Sequence, residues 1–406
     1  MLTSLSFIFL VGLAMAAICQ RIRLPRIIGM LLTGIVLGPY VLDILDPSIL
    51  SISSELRQMA LIIILVKAGL SLNLADLKKV GRPAVMLSCV PASFELLGYV
   101  LFAPMILGVN RIEAAVMGAV LAAVSPAVVV PRMVKLMESG YGTKKSIPQM
   151  ILAGASCDDI FVIVLFSTFS GMAQGGSARV MDFVNIPISI VSGILLGAVA
   201  GWLLSLFFET AYAKEHYVRN SMKVIIVLGV SFLLMSVENW VKPYISVSGL
   251  LAVVSMACVL KLRSIKAVSA RLSEKFGKLW LAAEVLLFVL VGAAVDIRYT
   301  MGAGLAAVLM IFTALIFRTI GVLICLAGTA LNWKERLFCV IAYLPKATVQ
   351  AAIGSVPMAM GLPCGQIVLS VAVMAILITA PLFTSLRTRK ANTLSGTLLP
   401  TSWLRR

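Results

Sequence analysis

Apolar stretches long enough to cross a lipid bilayer recur from one end of this chain to the other, and that recurrence limits its fold more than any other feature. A helical span needs about 20 mostly apolar residues. Thirteen stretches qualify, near 3–19, 27–42, 57–73, 83–106, 112–131, 147–172, 184–208, 222–240, 244–260, 279–296, 302–330, 337–357 and 366–386. The loops between them are too short to build a soluble domain. Apolar residues make up 61% of the 406 residues and charged ones 13%, against about 45–50% and about 25% in soluble domains. Lipid must therefore be the solvent for much of the surface. Backbone polar groups in lipid have to bond within the segment, so the predicted fold class is an all-α polytopic membrane protein with 13 transmembrane helices.

The formal charge of +17 would point to nucleic acid in a soluble protein. Its placement gives a different reading. With the N-terminus outside and the spans alternating, the outer segments carry only Arg57, Arg111, Arg179, Lys242 and Arg298. The inner ones hold clusters such as Arg21, Arg23, Arg26 and Lys261, Arg263, Lys266, Arg271, Lys275, Lys278. The positive-inside rule produces this asymmetry, and a miscounted span would scramble it. A multi-pass inner-membrane protein with its C-terminus in the cytoplasm is expected, with lipid and no nucleic acid as partner. Ala14-Met15-Ala16 has the look of a signal-peptide cleavage box, but no cation precedes the apolar run, so a retained first span is expected. The seven cysteines are scattered without a Cys-x-x-Cys pair, and the single histidine, His216, lies in a charged inner loop. Neither pattern gives metal ligands or disulfides, and an enzyme lacks the residues it would need.

Thirteen spans divide as six, one and six, which inverts the second six relative to the first. Inverted repeats of this kind characterise many secondary transporters. Gly29-Met30-Leu31-Leu32 in span 2 is echoed by Gly249-Leu250-Leu251 in span 9, and span 5 (Pro126, Pro131) matches span 12 (Pro345, Pro357) in its prolines. Proline removes an amide donor and breaks a helix, and broken helices at corresponding repeat positions point to a midplane binding site. Pro126, Pro131 and Pro345 are thus the expected break positions. Gly193, Gly197 and Gly201 in span 7 form a small-residue stripe that reads as close helix packing.

Seven charges fall near the midpoints of spans: Lys67, Glu95, Asp158, Asp159, Glu284, Arg318 and Lys346. Each would cost about 2.5–3.5 kcal/mol alone, or roughly 20 kcal/mol together, beyond the stability of an ordinary protein. They must pair, titrate or bind something. The counterpart spans 4 and 11 hold Glu95 and Arg318, and spans 3 and 10 hold Lys67 and Glu284, which gives two expected structural ion pairs. Asp158, Asp159 and Lys346 remain, with a net charge of minus one that a proton or one monovalent cation would fill. Adjacent helical residues diverge by about 100°, so one aspartate can meet Lys346 while the other faces the ion. Proton and cation then compete for the same oxygens, which is enough for exchange. Ser125 and Ser156 are candidate auxiliary ligands for a hard cation such as Na+ at Asp159 and Asp158.

Ala153-Gly154-Ala155-Ser156-Cys157-Asp158-Asp159 resembles the paired-aspartate signature of cation/proton antiporters. Ser125-Pro126-Ala127-Val128-Val129-Val130-Pro131, Gly140-Tyr141-Gly142 and Leu344-Pro345-Lys346-Ala347-Thr348-Val349-Gln350-Ala351-Ala352 are similar to the NHA branch, whose members share the NhaA/NapA-like fold. The resemblance covers nearly the whole chain. It implies a sodium/proton antiporter that also takes Li+, working as a homodimer by an elevator motion and needing no cofactor beyond the transported ions. It further implies a dimerisation domain from 1–80 and 216–298, a moving core from 81–175 and 299–390, a linker helix at 176–215 and a short tail at 391–406. In that family the residue matching Asp159 is the principal ion ligand, the one matching Asp158 bridges to the lysine matching Lys346, and Glu95 and Arg318 match an ion pair. The rival readings are a K+/H+ antiporter or K+-efflux pore, and a sodium-coupled organic-solute symporter of the same architecture. Neither a carbonyl filter loop nor an organic-anion site is visible in the deep polar inventory. The aspartate pair occurs in both electrogenic and electroneutral relatives and does not fix the stoichiometry.

Overall fold

The computed structural model describes residues 1–22, 24–71, 81–138, 141–174, 180–213, 219–241, 245, 247–302 and 304–385, at some of these positions, Ser156 among them, for the backbone alone. The principal helices are α1 (Leu2–Arg21), α2 (Arg26–Leu37), α3 (Ser53–Ser71), α4 (Val90–Leu107), α5 (Arg111–Leu121), α6 (Pro126–Glu138), α7 (Ile147–Gln174) and α8 (Val180–Ala213). They continue as α9 (Asn220–Val241), α10 (Gly249–Arg263), α11 (Lys266–Ala293), α12 (Gly304–Cys325), α13 (Trp333–Ala342), α14 (Thr348–Gly354) and α15 (Gly365–Ser385). No strand occurs among the described residues. Each apolar stretch of the sequence overlaps a helix or an interrupted pair of helices. Among the described residues, 7 helices are long and apolar enough to cross a membrane. The chain is an all-helical, multi-pass membrane protein. Taken singly, α2 and the segments of the interrupted pairs are shorter than a full span.

Two compact units emerge. The first draws on Met1–Ser54, Asn73–Val162 and Phe288–Arg406, the second on Glu55–Leu72 and Ile163–Leu287. In the second unit the glycine stripe of α8 packs as its spacing predicts. A Cβ on Gly193, Gly197 or Gly201 would run into the backbone of Ser248, Ala252 or Met256, in steps of four on both sides. Lys67 lies in this unit too, its Nζ 5.8 Å from the centre of the Trp280 ring and within electrostatic range of Glu284. In the first unit α4 packs against α12 and α5, and α14 against α15 and α5.

The two interrupted pairs begin alike. Asn110 caps α5 by accepting from the Glu113 N–H at 2.9 Å, while the Glu113 carboxylate accepts from the Asn110 N–H at 2.9 Å. Asn332 and Glu335 form the same reciprocal box at the start of α13. Both helices then stop within a few turns, α5 at Leu121 and α13 at Ala342, and resume as α6 at Pro126 and α14 at Thr348. The expected breaks at Pro126 and Pro345 therefore fall at the start of a new helix and inside a gap. Pro131 does not break its helix: α6 runs through it to Glu138. As the sixth residue of α6, Pro131 lies beyond the first turn and withholds one internal hydrogen bond, from the Ala127 carbonyl, yet the helix continues past it.

Candidate functional site

The site is built in the first unit, where α4 and α12 approach at two glycines. A Cβ on Gly98 would meet the Phe317 ring at 3.1 Å, and one on Gly321 would meet Pro91 Cα at 2.9 Å and Phe94 Cβ at 3.1 Å. The contact is reciprocal. Each phenylalanine precedes the charged residue of its own helix, Phe94 before Glu95 and Phe317 before Arg318, and each packs at the glycine three residues beyond the partner's charge. This close approach seats Arg318 Nη1 2.7 Å from Glu95 Oε2, with both side chains buried. The predicted Glu95–Arg318 pair is present.

Arg318 is saturated by more than that carboxylate. Its Nε donates to the Tyr343 carbonyl, its Nη1 also to the Ala122 carbonyl, and its Nη2 to Asp158 Oδ2 at 3.4 Å. Both acceptor carbonyls lie just past the ends of α5 and α13, so one guanidinium satisfies backbone groups that the two breaks set free. The interrupted segments also bond to each other. The Ser125 N–H donates to the Pro345 carbonyl at 2.9 Å, and Ser125 Oγ lies 3.4 Å from Thr348 Oγ1. The Lys346 N–H donates to Thr379 Oγ1 at 2.9 Å on α15. Gln350 bridges the gap: its Oε1 accepts from the Ala347 N–H at 2.8 Å, and its Nε2 donates to the Ala123 carbonyl at 2.7 Å. Irregular backbone at membrane depth persists only where protein supports it in this way.

Asp158 and Asp159 sit on α7 and are both buried. Asp158 Oδ2 accepts from the Val124 N–H at 2.7 Å and from Arg318. Asp159 makes no ion pair with the described residues, and Oδ1 of each aspartate has no hydrogen-bond partner among them. The expected partnership of Lys346 with an aspartate is not the one formed. Lys346 Nζ donates to Glu95 Oε2 at 2.6 Å and to the Ala123 carbonyl at 3.2 Å. Pinning of the chain on either side, through Thr379 and Gln350, turns the ammonium toward α4, and Arg318 takes the lysine's place beside Asp158. Ser125 is buried between the two breaks, whereas the Ser156 side chain lies outside the described residues.

Several contributors escaped the sequence reading. Gln350 stands within the motif that contains Lys346, yet nothing in an uncharged side chain marks it as a bridge. Tyr343 and Thr379 act through groups that composition does not rank. The paired Asn-x-x-Glu boxes were readable as helix starts, and their recurrence at both interrupted helices was an available repeat signal. Among the described residues no three His, Cys, Asp or Glu side chains gather as metal ligands.

Buried acids and bases beside two mutually bonded helix breaks, in a chain of membrane helices, are the architecture of a secondary ion carrier. Comparison with known proteins narrows that class. Residues 5–388 match the model of the sodium/hydrogen exchanger transmembrane family. Human sodium/hydrogen exchanger 9B2 is 35% identical over 378 residues, covering 88% of this chain and 67% of its own length. Human sodium/hydrogen exchanger 9B1 is 32% identical, covering 94% and 75%. The structure of the sodium proton antiporter MjNhaP1 from Methanocaldococcus jannaschii superposes with a TM-score of 0.82 over 98% of both chains at 21% identity, which speaks for the fold. The chain belongs to the sodium/hydrogen exchanger family and is a cation/proton antiporter.

Proposed function

We propose that the protein exchanges Na+, and also Li+, for protons at the Asp158–Asp159 pair. One observation carries this reading. The buried set holds three acids, Glu95, Asp158 and Asp159, against two bases, Arg318 and Lys346, and both bases are already engaged. Asp159 is the acid left without an ion pair among the described residues, so the residual charge of minus one resides there. A proton or a single alkali cation neutralises it, and the two compete. Carboxylate oxygens, with Ser125 or a freed carbonyl, suit a hard cation. The charges offset by Arg318 and Lys346 keep the rest of the site neutral, so occupancy of the pair decides whether the site can cross a low-dielectric barrier. The exchange needs no cofactor.

The thirteen-span count, the inverted repeats and alternating access by an elevator motion belong to the same proposal. They are supported by the matched capping boxes, the reciprocal Phe–Gly contact and the two breaks. Assembly as a homodimer, with spans 1–3 and 8–10 as the dimerisation domain, rests on the family resemblance. Residence in the inner membrane with the N-terminus outside rests on the distribution of lysine and arginine. The test is reconstitution in liposomes with an internal pH-sensitive dye and an imposed proton gradient. Addition of Na+ or Li+ should collapse the gradient between pH 6 and 9. No response to either cation, or a response to K+ alone, sinks the Na+ reading.

A further inference from the structure

Tyr343 is fully buried, and its hydroxyl has no hydrogen-bond partner among the described residues. The rest of the residue is engaged. Its ring lies 5.7 Å from the Arg318 guanidinium carbon, and its carbonyl accepts from Arg318 Nε. The hydroxyl crosses to α7 and fills the space where a Cβ on Gly154 would stand. Gly154 is one helical turn before Asp158. Residues four apart share a helix face, and the Cα–Cβ bond tilts toward the N-terminus, so the Asp158 side chain leans over the turn that the phenol abuts. The charged and titratable groups around the phenol are Asp158 from α7, Arg318 and Cys325 from α12, and Cys339 from α13.

Two buried oxygens at one face of α7, Tyr343 Oη and Asp158 Oδ1, thus lack partners among the described residues. Their chemistry is complementary. A phenol can donate to an ionised carboxylate and accept from a protonated one. Packing alone would favour phenylalanine here, because an unmade hydrogen bond in the interior costs stability while the ring contacts do not need the hydroxyl. We propose that the Tyr343 hydroxyl is the partner of Asp158 Oδ1 during exchange, directly or through one bridging water. It is a positioning residue, and it sets the pH and cation concentration at which the aspartate pair changes occupant. Asp158 then keeps a hydrogen bond in either protonation state, and losing or gaining a proton does not strand it. The inference rests on the aspartate pair being the exchange site.

The decisive variant is Tyr343→Phe in the full chain, compared with wild type by three readouts. The first is the infrared carbonyl band of the protonated carboxyl, assigned by its loss in Asp158→Asn. The second is the melting temperature in detergent, and the third is Na+-driven proton exchange from pH 6 to 9. We expect the band to move, the melting temperature to hold or fall slightly, the apparent Na+ affinity to fall about tenfold, and the acid limb to move up by about one pH unit. An unchanged band overturns the proposal whatever the transport shows, and a lowered melting temperature with an unchanged band assigns the hydroxyl to packing alone. A moved band with a wild-type pH profile and affinity overturns the hydroxyl's role in setting exchange. An inactive wild type with a moved band sinks the exchange reading but leaves the Tyr343–Asp158 partnership standing.

Discussion

Lys346 Nζ lies 2.6 Å from Glu95 Oε2, so the lysine of the second helix break is held by the α4 carboxylate and not by the aspartates. The same oxygen accepts from Arg318 at 2.7 Å. One carboxylate therefore anchors two buried cations. Removing one partner of a buried pair costs about 3–5 kcal/mol, because the other charge is left uncompensated. Glu95→Gln should accordingly lower the yield and melting temperature sharply, and transport should fail with them. Adding Arg318→Gln in the same chain should cost less than Arg318→Gln alone, since the guanidinium has already lost the Glu95 carboxylate and the two effects are not additive. A thermal melt of the single and double variants checks this, and a single variant melting like wild type would refute the shared anchor.

The two aspartates should separate in the same kind of experiment. Asp158 bonds the Val124 N–H and Arg318, whereas Asp159 makes no ion pair among the described residues and its Oδ1 has no hydrogen-bond partner there. Asp159→Asn should abolish exchange and leave the melting temperature equal or higher, because it removes a buried charge without a counter-ion. Asp158→Asn keeps an acceptor for Val124 but weakens the hold on Arg318, so it should lose both stability and exchange. Dye-monitored exchange alongside melting curves distinguishes them. Retained exchange in Asp159→Asn would move the ion site elsewhere.

How far the sequence reaches is instructive at these residues. Apolar run length and charge placement reveal membrane helices, because lipid imposes one requirement on every span. Burial cost identifies Glu95, Asp158, Asp159, Arg318 and Lys346 as partners in some arrangement, and repeat position pairs Glu95 with Arg318. Which acid receives Lys346 is a different kind of question. It depends on an ångström-scale turn of the chain between Pro345 and Ala347, fixed by Thr379 and Gln350, two uncharged residues far apart in sequence. The effect of a proline is likewise positional: Pro126 opens a helix while Pro131 is carried inside it. The reciprocity of Phe94, Gly98, Phe317 and Gly321 was present as Phe-Glu-Leu-Leu-Gly and Phe-Arg-Thr-Ile-Gly, but an echo of two residues is too short to read without knowing that the helices touch.

Gln350 should be as sensitive as a charged residue. Gln350→Leu strands the Ala347 N–H, at about 1–3 kcal/mol for a buried group left unpaired, and leaves the Ala123 carbonyl with only the longer bond from Lys346 Nζ at 3.2 Å. Gln350→Glu should be worse near neutral pH, because an ionised carboxylate would face the Ala123 and Leu121 carbonyls that now receive N–H donors. On protonation the same side chain regains one donor. The melting temperature of Gln350→Glu should therefore rise toward wild type as the pH falls, whereas that of Gln350→Leu should stay low at every pH. Parallel pH dependence in the two variants would count against the bridge.

The two glycines of the α4–α12 contact make unequal predictions from a symmetric arrangement. On Gly98 a methyl group would press on the Phe317 ring at 3.1 Å, and a ring can tilt by a few tenths of an ångström. On Gly321 the same methyl would meet Pro91 Cα at 2.9 Å, and that backbone cannot yield without separating the helices. Overpacking of a tight core costs about 1–3 kcal/mol, and Gly321→Ala should fall at the upper end while Gly98→Ala falls at the lower. Because the contact sets the separation of Glu95 and Arg318, Gly321→Ala should also lengthen that ion pair and slow exchange, and Gly98→Ala should leave exchange near wild type. Melting temperatures together with initial exchange rates test the ordering, and equal losses in the two variants would show that the backbone at Pro91 is as compliant as an aromatic ring.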